Sequence, residues 1–307
     1  MGATRRKRPD IDSNALLEFL KRVESYTEDL IYGVPAGEGL YHYTDLAGLQ
    51  GILSSSDIWL TNSRYSNDGE EMTHGYRVAS EVIEEEFEAA KAGGQLDRAT
   101  YVKSVRELLA TPPAEGVYIC CFCLSGNLLS QWRGYGGNGC GVSIKFDPHG
   151  FASVTGPDSP SRGLLRLWKV FYDPRAQRSI VQSALNFGFT QPALPEDRAR
   201  YAADAITFFI PTFKNEDFSE ERECRLIFTP PPSIAVRPRF RVARGMLIPY
   251  FSMRDLTGGF QLHLPIEGIV VGPMPHKDLN VASIEALLTA GGYPELSVDR
   301  SSTPYRA

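Results

Sequence analysis

The chain has 307 residues, of which 42% are hydrophobic and 22% charged, with 28 glycines and 21 prolines. These proportions exclude a disordered tail protein, a coiled coil and a collagen-like repeat, and the length suffices to bury a sizeable core. A formal net charge of −5 leaves no overall basic field to recruit nucleic acid.

No run approaches the ~18 continuous apolar residues a membrane helix needs, and the N-terminus carries no apolar signal core. Three of the five cysteines are crowded at 120, 121 and 123, a usage that favours reduced thiols over a secreted disulfide frame. The expectation is a cytoplasmic, globular chain with no membrane partner.

Residues 1–11 read as a basic, flexible arm carrying Arg5, Arg6, Lys7 and Arg8, and 12–307 as a single α+β domain. Ser13 can cap an amphipathic helix that runs to Gly33. Leu40–Thr44 reads as a strand, followed by a helix capped by Asp45 and a strand at Ile58–Thr61. A helical insertion over 70–110 forms a hairpin broken at Gly93-Gly94, its first helix keeping the 3.6-residue period through Met72, Tyr76, Ala79, Ile83 and Phe87. Val117–Leu124 is a central, apolar strand, and Gly139–Phe146 and Leu164–Tyr172 follow as strands. A second helical insertion covers 174–212, interrupted near Pro192 and Pro195. Strands at Arg222–Phe228, Arg239–Val242, Met246–Tyr250, Ile266–Val271 and Leu296–Val298 complete the set, with a helix at Asn280–Ala290 between the last two. Helices inserted among strands without a strict βαβ rhythm favour α+β over a doubly wound fold.

Four segments can carry chemistry. In Leu40-Tyr41-His42-Tyr43-Thr44, alternation puts His42 on one face with Leu40 and Thr44, where it is either a hydrogen-bonded core residue or a ligand contact. Asn62 to Gly69 reads as a solvated turn, yet Arg64 can hold an anion bidentately and Tyr65 can stack on a ring. Ser130-Gln131-Trp132-Arg133-Gly134-Tyr135 leads into glycines whose N–H groups can make an anion nest, with Trp132, Arg133 and Tyr135 as a nucleotide platform. The alternative is a helix ending in a Gly-rich turn. In the fourth segment Glu221, Glu223 and Arg225 share one strand face. Two carboxylates so placed repel unless a cation or a function uses them, and beside a sugar carbon they can stabilise an oxocarbenium cation. The alternative is an edge strand on which Arg225 neutralises Glu223. Cys120 and Cys123 have C-x-x-C spacing, but they lie in an apolar strand pattern with no second close pair. Cys140 and Cys224 are scattered, and the histidines show no H-x-x-x-H spacing, so no metal is expected. A thiol nucleophile at Cys121 or Cys123 with His42 as base is a weaker possibility.

Together these motifs resemble a bacterial family, domain of unknown function 2971. The matching pieces are Tyr41-His42-Tyr43-Thr44, Gly51-Ile52-Leu53, Trp59-Leu60-Thr61-Asn62, Arg64-Tyr65-x-Asn67-Asp68, Cys123-Leu124-Ser125 and Leu129-Ser130-Gln131-Trp132-Arg133-x-Tyr135. They continue with Gly141-Val142-x-Ile144, Phe218-x-x-Glu221-x-Glu223-x-Arg225-Leu226, Val271-Gly272-Pro273 and Ser302-x-Pro304-Tyr305-Arg306. The layout in turn resembles ADP-ribosyltransferase-like folds, which implies a split, largely antiparallel sheet with helical insertions. It further implies NAD as substrate and ADP-ribosyl transfer to a protein or nucleic-acid acceptor or NAD cleavage, in toxin or phage-defence roles. By that resemblance His42 holds the ribose, Glu223 is the catalytic carboxylate and Glu221 selects or activates the acceptor. Arg64 and Arg133 hold the pyrophosphate, Tyr65, Trp132 or Tyr135 stacks, and Tyr43, Thr44 and Ser130 join the cofactor-binding set. The alternatives are a nucleotide-binding module without turnover and a nuclease using the same acidic site.

Overall fold

The computed structural model describes residues 30–31, 34–35, 37–66, 71–110, 116–155, 165–231, 235–243, 245–258, 264–274 and 276–304. Ten strands make one sheet. They are β3 (Leu40–Thr44), β4 (Trp59–Asn62), β5 (Tyr118–Cys123), β6 (Val142–Phe146), β7 (Leu165–Lys169), β8 (Glu223–Phe228), β9 (Arg239–Ala243), β10 (Met246–Ser252), β11 (Ile266–Val271) and β12 (Ser297–Arg300). The order runs β12-β11-β6-β3-β5-β4-β10-β9, with β8 lying between β5 and β7. Every pair of these strands is antiparallel except β11 with β12. The fold is thus mixed α+β with a large, open, mostly antiparallel sheet.

The expected N-terminal helix ends differently. Leu30–Ile31 (β1) pairs antiparallel with Val34–Pro35 (β2), and Pro35 has no N–H with which to continue a helix. The arm, Ser13 and the rest of that helix lie outside the described residues, as do Asn67, Asp68, Gly69, Tyr305 and Arg306.

Both faces of the central strands are covered, so their sequences read as continuous apolar runs rather than alternating ones. On one face, Tyr118, Cys120 and Phe122 of β5 and Leu226 and Phe228 of β8 pack with α1 (Leu46–Ser55) through Leu49 and Leu53. Asp45 caps α1, its Oδ1 accepting from the Gly48 N–H at 2.7 Å. On the other face Ile119 and Ile227 pack under four helices: α2 (Glu71–Ala92), α3 (Leu96–Leu109), and, after the short α4 (Leu129–Gly134) and α5 (Ala152–Thr155), α6 (Pro174–Thr190) and α7 (Pro195–Phe209). Pro174 and Pro195 each stand in the first turn of their helix, where the missing N–H costs nothing. Each large side chain fully buried in these layers contributes roughly 1.5–3 kcal/mol.

One irregularity in the sheet creates the site. β3 and β4 both pair with the same edge of β5, but at opposite ends: Tyr41 stands opposite Cys123, whereas Thr61 and Asn62 stand opposite Ile119 and Tyr118. Between those contacts β3 and β4 diverge, and the backbone of β5 around Cys121 faces the opening.

Candidate functional site

A cavity of about 210 Å³ lies at this divergence. β3 contributes Tyr41, His42 and Tyr43, and β5 contributes Cys121 and Cys123. Tyr65 follows β4, Gln131 and Tyr135 come from α4 and the residue after it, and Arg241 and Ile248 come from the β9–β10 hairpin. Lys214, Glu221 and Glu223 complete the wall.

His42 occupies the gap in the ladder. Its Nδ1 donates to the Cys121 carbonyl oxygen at 2.9 Å, and a carbonyl can only accept, so Nδ1 carries the proton. Burial lowers the His42 pKa from its ordinary 6.5, only partly opposed by that carbonyl bond. The ring is therefore neutral near pH 7 and its Nε2 is an acceptor, suited to a sugar hydroxyl. The Cys120 Sγ lies 3.7 Å from Nδ1, but burial pushes that thiol up to about 12. Burial also raises the Cys123 thiol, with Glu223 and Glu221 adding to the effect. These environments disfavour a thiolate at Cys120 and Cys123, which argues against Cys123 as the nucleophile.

The acid cluster forms around a cation that the motifs gave no reason to single out. Gln177 of α6, buried, donates its Nε2 to the Lys214 carbonyl at 2.8 Å and to that of Phe171, which fixes the backbone of Lys214. The Lys214 Nζ then reaches Glu221 at 2.5 Å and Glu223 at 3.0 Å. Arg225, wholly buried, takes the same Glu223 with Nε on Oε1 at 2.8 Å and Nη2 on Oε2 at 3.0 Å, and gives Nη1 to the Pro211 carbonyl. The repulsion expected between the two glutamates is thus answered by two cations. Burial alone would raise Glu223, but the Arg225 and Lys214 charges outweigh it and hold the carboxyl well below the usual range. Glu221 is raised by burial, against the pull of Lys214. With 13% of its side chain exposed against 4% for Glu223, Glu221 is the more accessible carboxylate.

β8 is not an edge strand, so the solvated-edge alternative is overturned: both its neighbours are paired and all six residues are buried. Nor does Glu221 share a strand with Glu223. It closes a 3-10 turn, Glu216–Glu221, and Arg222 at φ 44° redirects the chain before β8 begins.

Of the residues singled out from sequence, His42, Tyr43, Tyr65, Tyr135, Glu221 and Glu223 line the cavity. Thr44, Arg64, Ser130, Trp132 and Arg133 do not. Trp132 is corrected as a stacking platform because it is wholly buried: its ring meets Tyr43 edge-on at 4.8 Å and its Nε1 donates to Asn127 Oδ1. Arg64, Ser130 and Arg133 are exposed. The glycine segment is not an open anion nest either. The N–H groups of Gly136, Gly139, Cys140 and Gly141 are bonded to carbonyls of residues 131–137, and the turn packs against the end of β3. Lys214, Arg241 and Gln131 were missed. Lys214 and Arg241 are isolated polar residues whose roles depend on long-range packing, whereas Gln131 stands inside the Ser130–Tyr135 segment, which does not reveal which of its residues reach the cavity.

Residues 131–226 match the model of a family described as protein of unknown function (DUF2971). The family resemblance read from the motifs holds over this span. It runs from Gln131 in α4 to Leu226 in β8, so it takes in Tyr135, Lys214, Glu221 and Glu223 and leaves out His42, Tyr65 and Arg241. No curated protein and no solved structure matches the chain. Among the described residues there is no group of three or more His, Cys, Asp or Glu able to hold a metal ion, and no helix is long and apolar enough to cross a membrane.

Proposed function

We propose that the chain cleaves the nicotinamide–ribose bond of NAD and passes the ADP-ribosyl group to water or to a macromolecular acceptor. The observation that carries this reading is the meeting of a neutral histidine acceptor and a partly exposed glutamate in one cavity. His42 Nε2 accepts a hydrogen bond from a ribose hydroxyl and fixes the sugar. The C1–N bond breaks with its electron pair leaving on nicotinamide, which departs neutral, and positive charge develops on C1 and the ring oxygen. A carboxylate beside that centre stabilises it, and the incoming nucleophile surrenders its proton to the carboxylate as its bond to C1 forms. Glu221 suits this task because its raised pKa makes it the better base. Glu223, with both oxygens taken by Arg225 and Lys214, acts by positioning Lys214 and through it Glu221. This keeps the acceptor activation that the family resemblance gives Glu221, and moves to it the stabilisation of C1 that the resemblance gives Glu223.

The engagement of Glu223 also favours a second reading, a nucleotide-binding module without turnover. Release of nicotinamide from labelled NAD by the purified protein separates the two. Turnover that falls by about 10²-fold or more in Glu221→Gln supports the enzyme. Binding without release supports the module, and neither binding nor release by the unaltered protein overturns both.

A further inference from the structure

Arg241 sits on β9, at one end of the sheet order, with its register partner Ile248 beside it on the cavity wall. Its side chain reaches across β10 to β4, where Nη2 donates to Thr61 Oγ1 at 3.2 Å. The Arg241 Nε is buried and has no hydrogen-bond partner, and among the described residues no carboxylate lies within ion-pair distance of the guanidinium. The other cations nearby are all satisfied: Lys214 holds two glutamates, Arg225 holds Glu223, and Arg239 of the same strand holds Asp255. A buried guanidinium N–H without an acceptor is costly, and because Arg241 lines the cavity an acceptor from outside the chain can satisfy it. The planar fork of Arg matches the paired oxygens of a phosphate.

We infer that Arg241 anchors a phosphate or pyrophosphate group of the cavity's ligand, so that the site takes a nucleotide-type molecule with its anionic part over β4 and β10. The inference builds on the nucleotide reading above and supplies the phosphate contact that exposed Arg64 and Arg133 do not make. The spacing fits an extended ligand. Thr61 is in register with Ile119, and Ile119 with Ile227, two strands over and four residues along β8 from Glu223. With ~4.8 Å between strands and ~3.4 Å per residue, Thr61 and Glu223 stand about 17 Å apart at the backbone. Their side chains and those of Arg241 and Glu221 close part of that gap, leaving the reach of a sugar and its phosphates. Inorganic phosphate alone would leave the glutamate end unused.

The test is calorimetric titration of ADP, inorganic pyrophosphate, NAD and nicotinamide riboside, which lacks phosphate, into the wild-type protein, R241Q and R241K. Arg241 is partly buried near the sheet margin, and thermal melting of both variants checks that the fold persists. The expected result is that R241Q weakens ADP and NAD by roughly tenfold to a hundredfold, R241K by less, and nicotinamide riboside not at all. R241Q binding ADP and NAD as tightly as wild type overturns the inference, as does an equal loss for nicotinamide riboside, or wild-type protein that takes up none of the phosphate ligands. Arg241-dependent binding of ADP or pyrophosphate with no binding of NAD upholds the anion site and overturns the NAD reading. Binding of NAD that ignores Arg241 does the reverse.

Discussion

Arg225 and Glu223 lock together two residues apart on the same face of β8, Nε to Oε1 at 2.8 Å and Nη2 to Oε2 at 3.0 Å, with both side chains cut off from water. A bidentate pair so buried is retained only because each charge has several partners: Glu223 also has Lys214, and Arg225 also has the Pro211 carbonyl. This makes the cluster a structural keystone as well as a wall of the site.

Removing one partner leaves an uncompensated buried charge. Arg225→Met is expected to lower stability by about 3–5 kcal/mol, read as a shift in the urea midpoint. The pair also sets an acid limit. Glu223 has a folded pKa below its ordinary 4.5, so its contribution is present above that value and is lost as pH falls through the folded pKa. Melting temperature in the wild type should therefore drop below about pH 4.5. In Arg225→Met the acid-side drop should be shallower. An unchanged acid profile in that variant contradicts the account.

How much of this was readable beforehand follows from burial. The strands β3, β5 and β11 fall where β-branched and aromatic runs place them, to within a residue. β5 is buried almost throughout, and β3 and β11 keep short β-prone runs although Tyr41, His42 and Thr44 are half-buried and Glu267 is exposed. Asp45 marks the start of α1 by local chemistry that tertiary contacts do not override, and Pro195, expected as an interruption of the second insertion, stands in the first turn of α7. Site residues were harder. His42, Glu221 and Glu223 carried local signals and do meet in the cavity. Lys214 lies between Phe213 and Asn215 with no motif, and it becomes a partner of two glutamates only through Gln177, which is 37 residues away in sequence. Trp132 and Arg133 are adjacent on one helix turn and so point to different sides, one into the core and one to solvent; a polar, aromatic motif does not reveal which.

His42 offers a prediction about pH. Because burial lowers its pKa below 6.5, the unfolded chain takes up the proton first as pH falls, so the stability this residue contributes is present above 6.5 and is lost on acidification. Nitrogen NMR on selectively labelled protein should find one neutral tautomer at pH 7, protonated at Nδ1, with no titration between pH 7 and 8. Ligand affinity should be flat across the same interval. A ring that titrates near or above 6.5, or carries its proton on Nε2, refutes the proposed ribose contact.

Asn127 ties the end of the described chain to the site. Its Oδ1 accepts from Trp132 Nε1 at 3.0 Å, from Ser301 Oγ at 2.5 Å and from Thr303 Oγ1 at 2.8 Å, and its Nδ2 donates to Ser302 Oγ. The next residue, Leu128, donates its N–H to the Tyr43 hydroxyl, so α4 is fixed between the 301–303 segment and β3. Asn127→Ala strands the buried indole N–H and is expected to cost roughly 1–3 kcal/mol in chemical denaturation. It should also weaken ligand binding through Gln131 and Tyr135, which α4 and the residue after it present to the cavity. A stability loss with affinity intact would mean that the 301–303 segment supports the fold alone.

The glycine turn makes the sharpest geometric prediction. A Cβ at Gly141 would sit 2.2 Å from the Thr44 carbonyl oxygen and 2.9 Å from that of Gly136, both backbone atoms that cannot swing aside. Gly141 is also held by hydrogen bonds from its own N–H to Gly136 and from the Gly272 N–H to its carbonyl. This glycine therefore serves close approach of the turn to β3, two residues from His42, and not contact with a ligand phosphate. Gly141→Ala must push β3 and the turn apart, at a cost of at least ~1–3 kcal/mol. Gly134 is the internal control: it lies in α4 with nothing within 4 Å of its added Cβ, so Gly134→Ala should be neutral or stabilising by up to ~1 kcal/mol. Thermal melting of the two variants side by side decides the matter, since equal melting temperatures would leave the close-packing account of the turn without support.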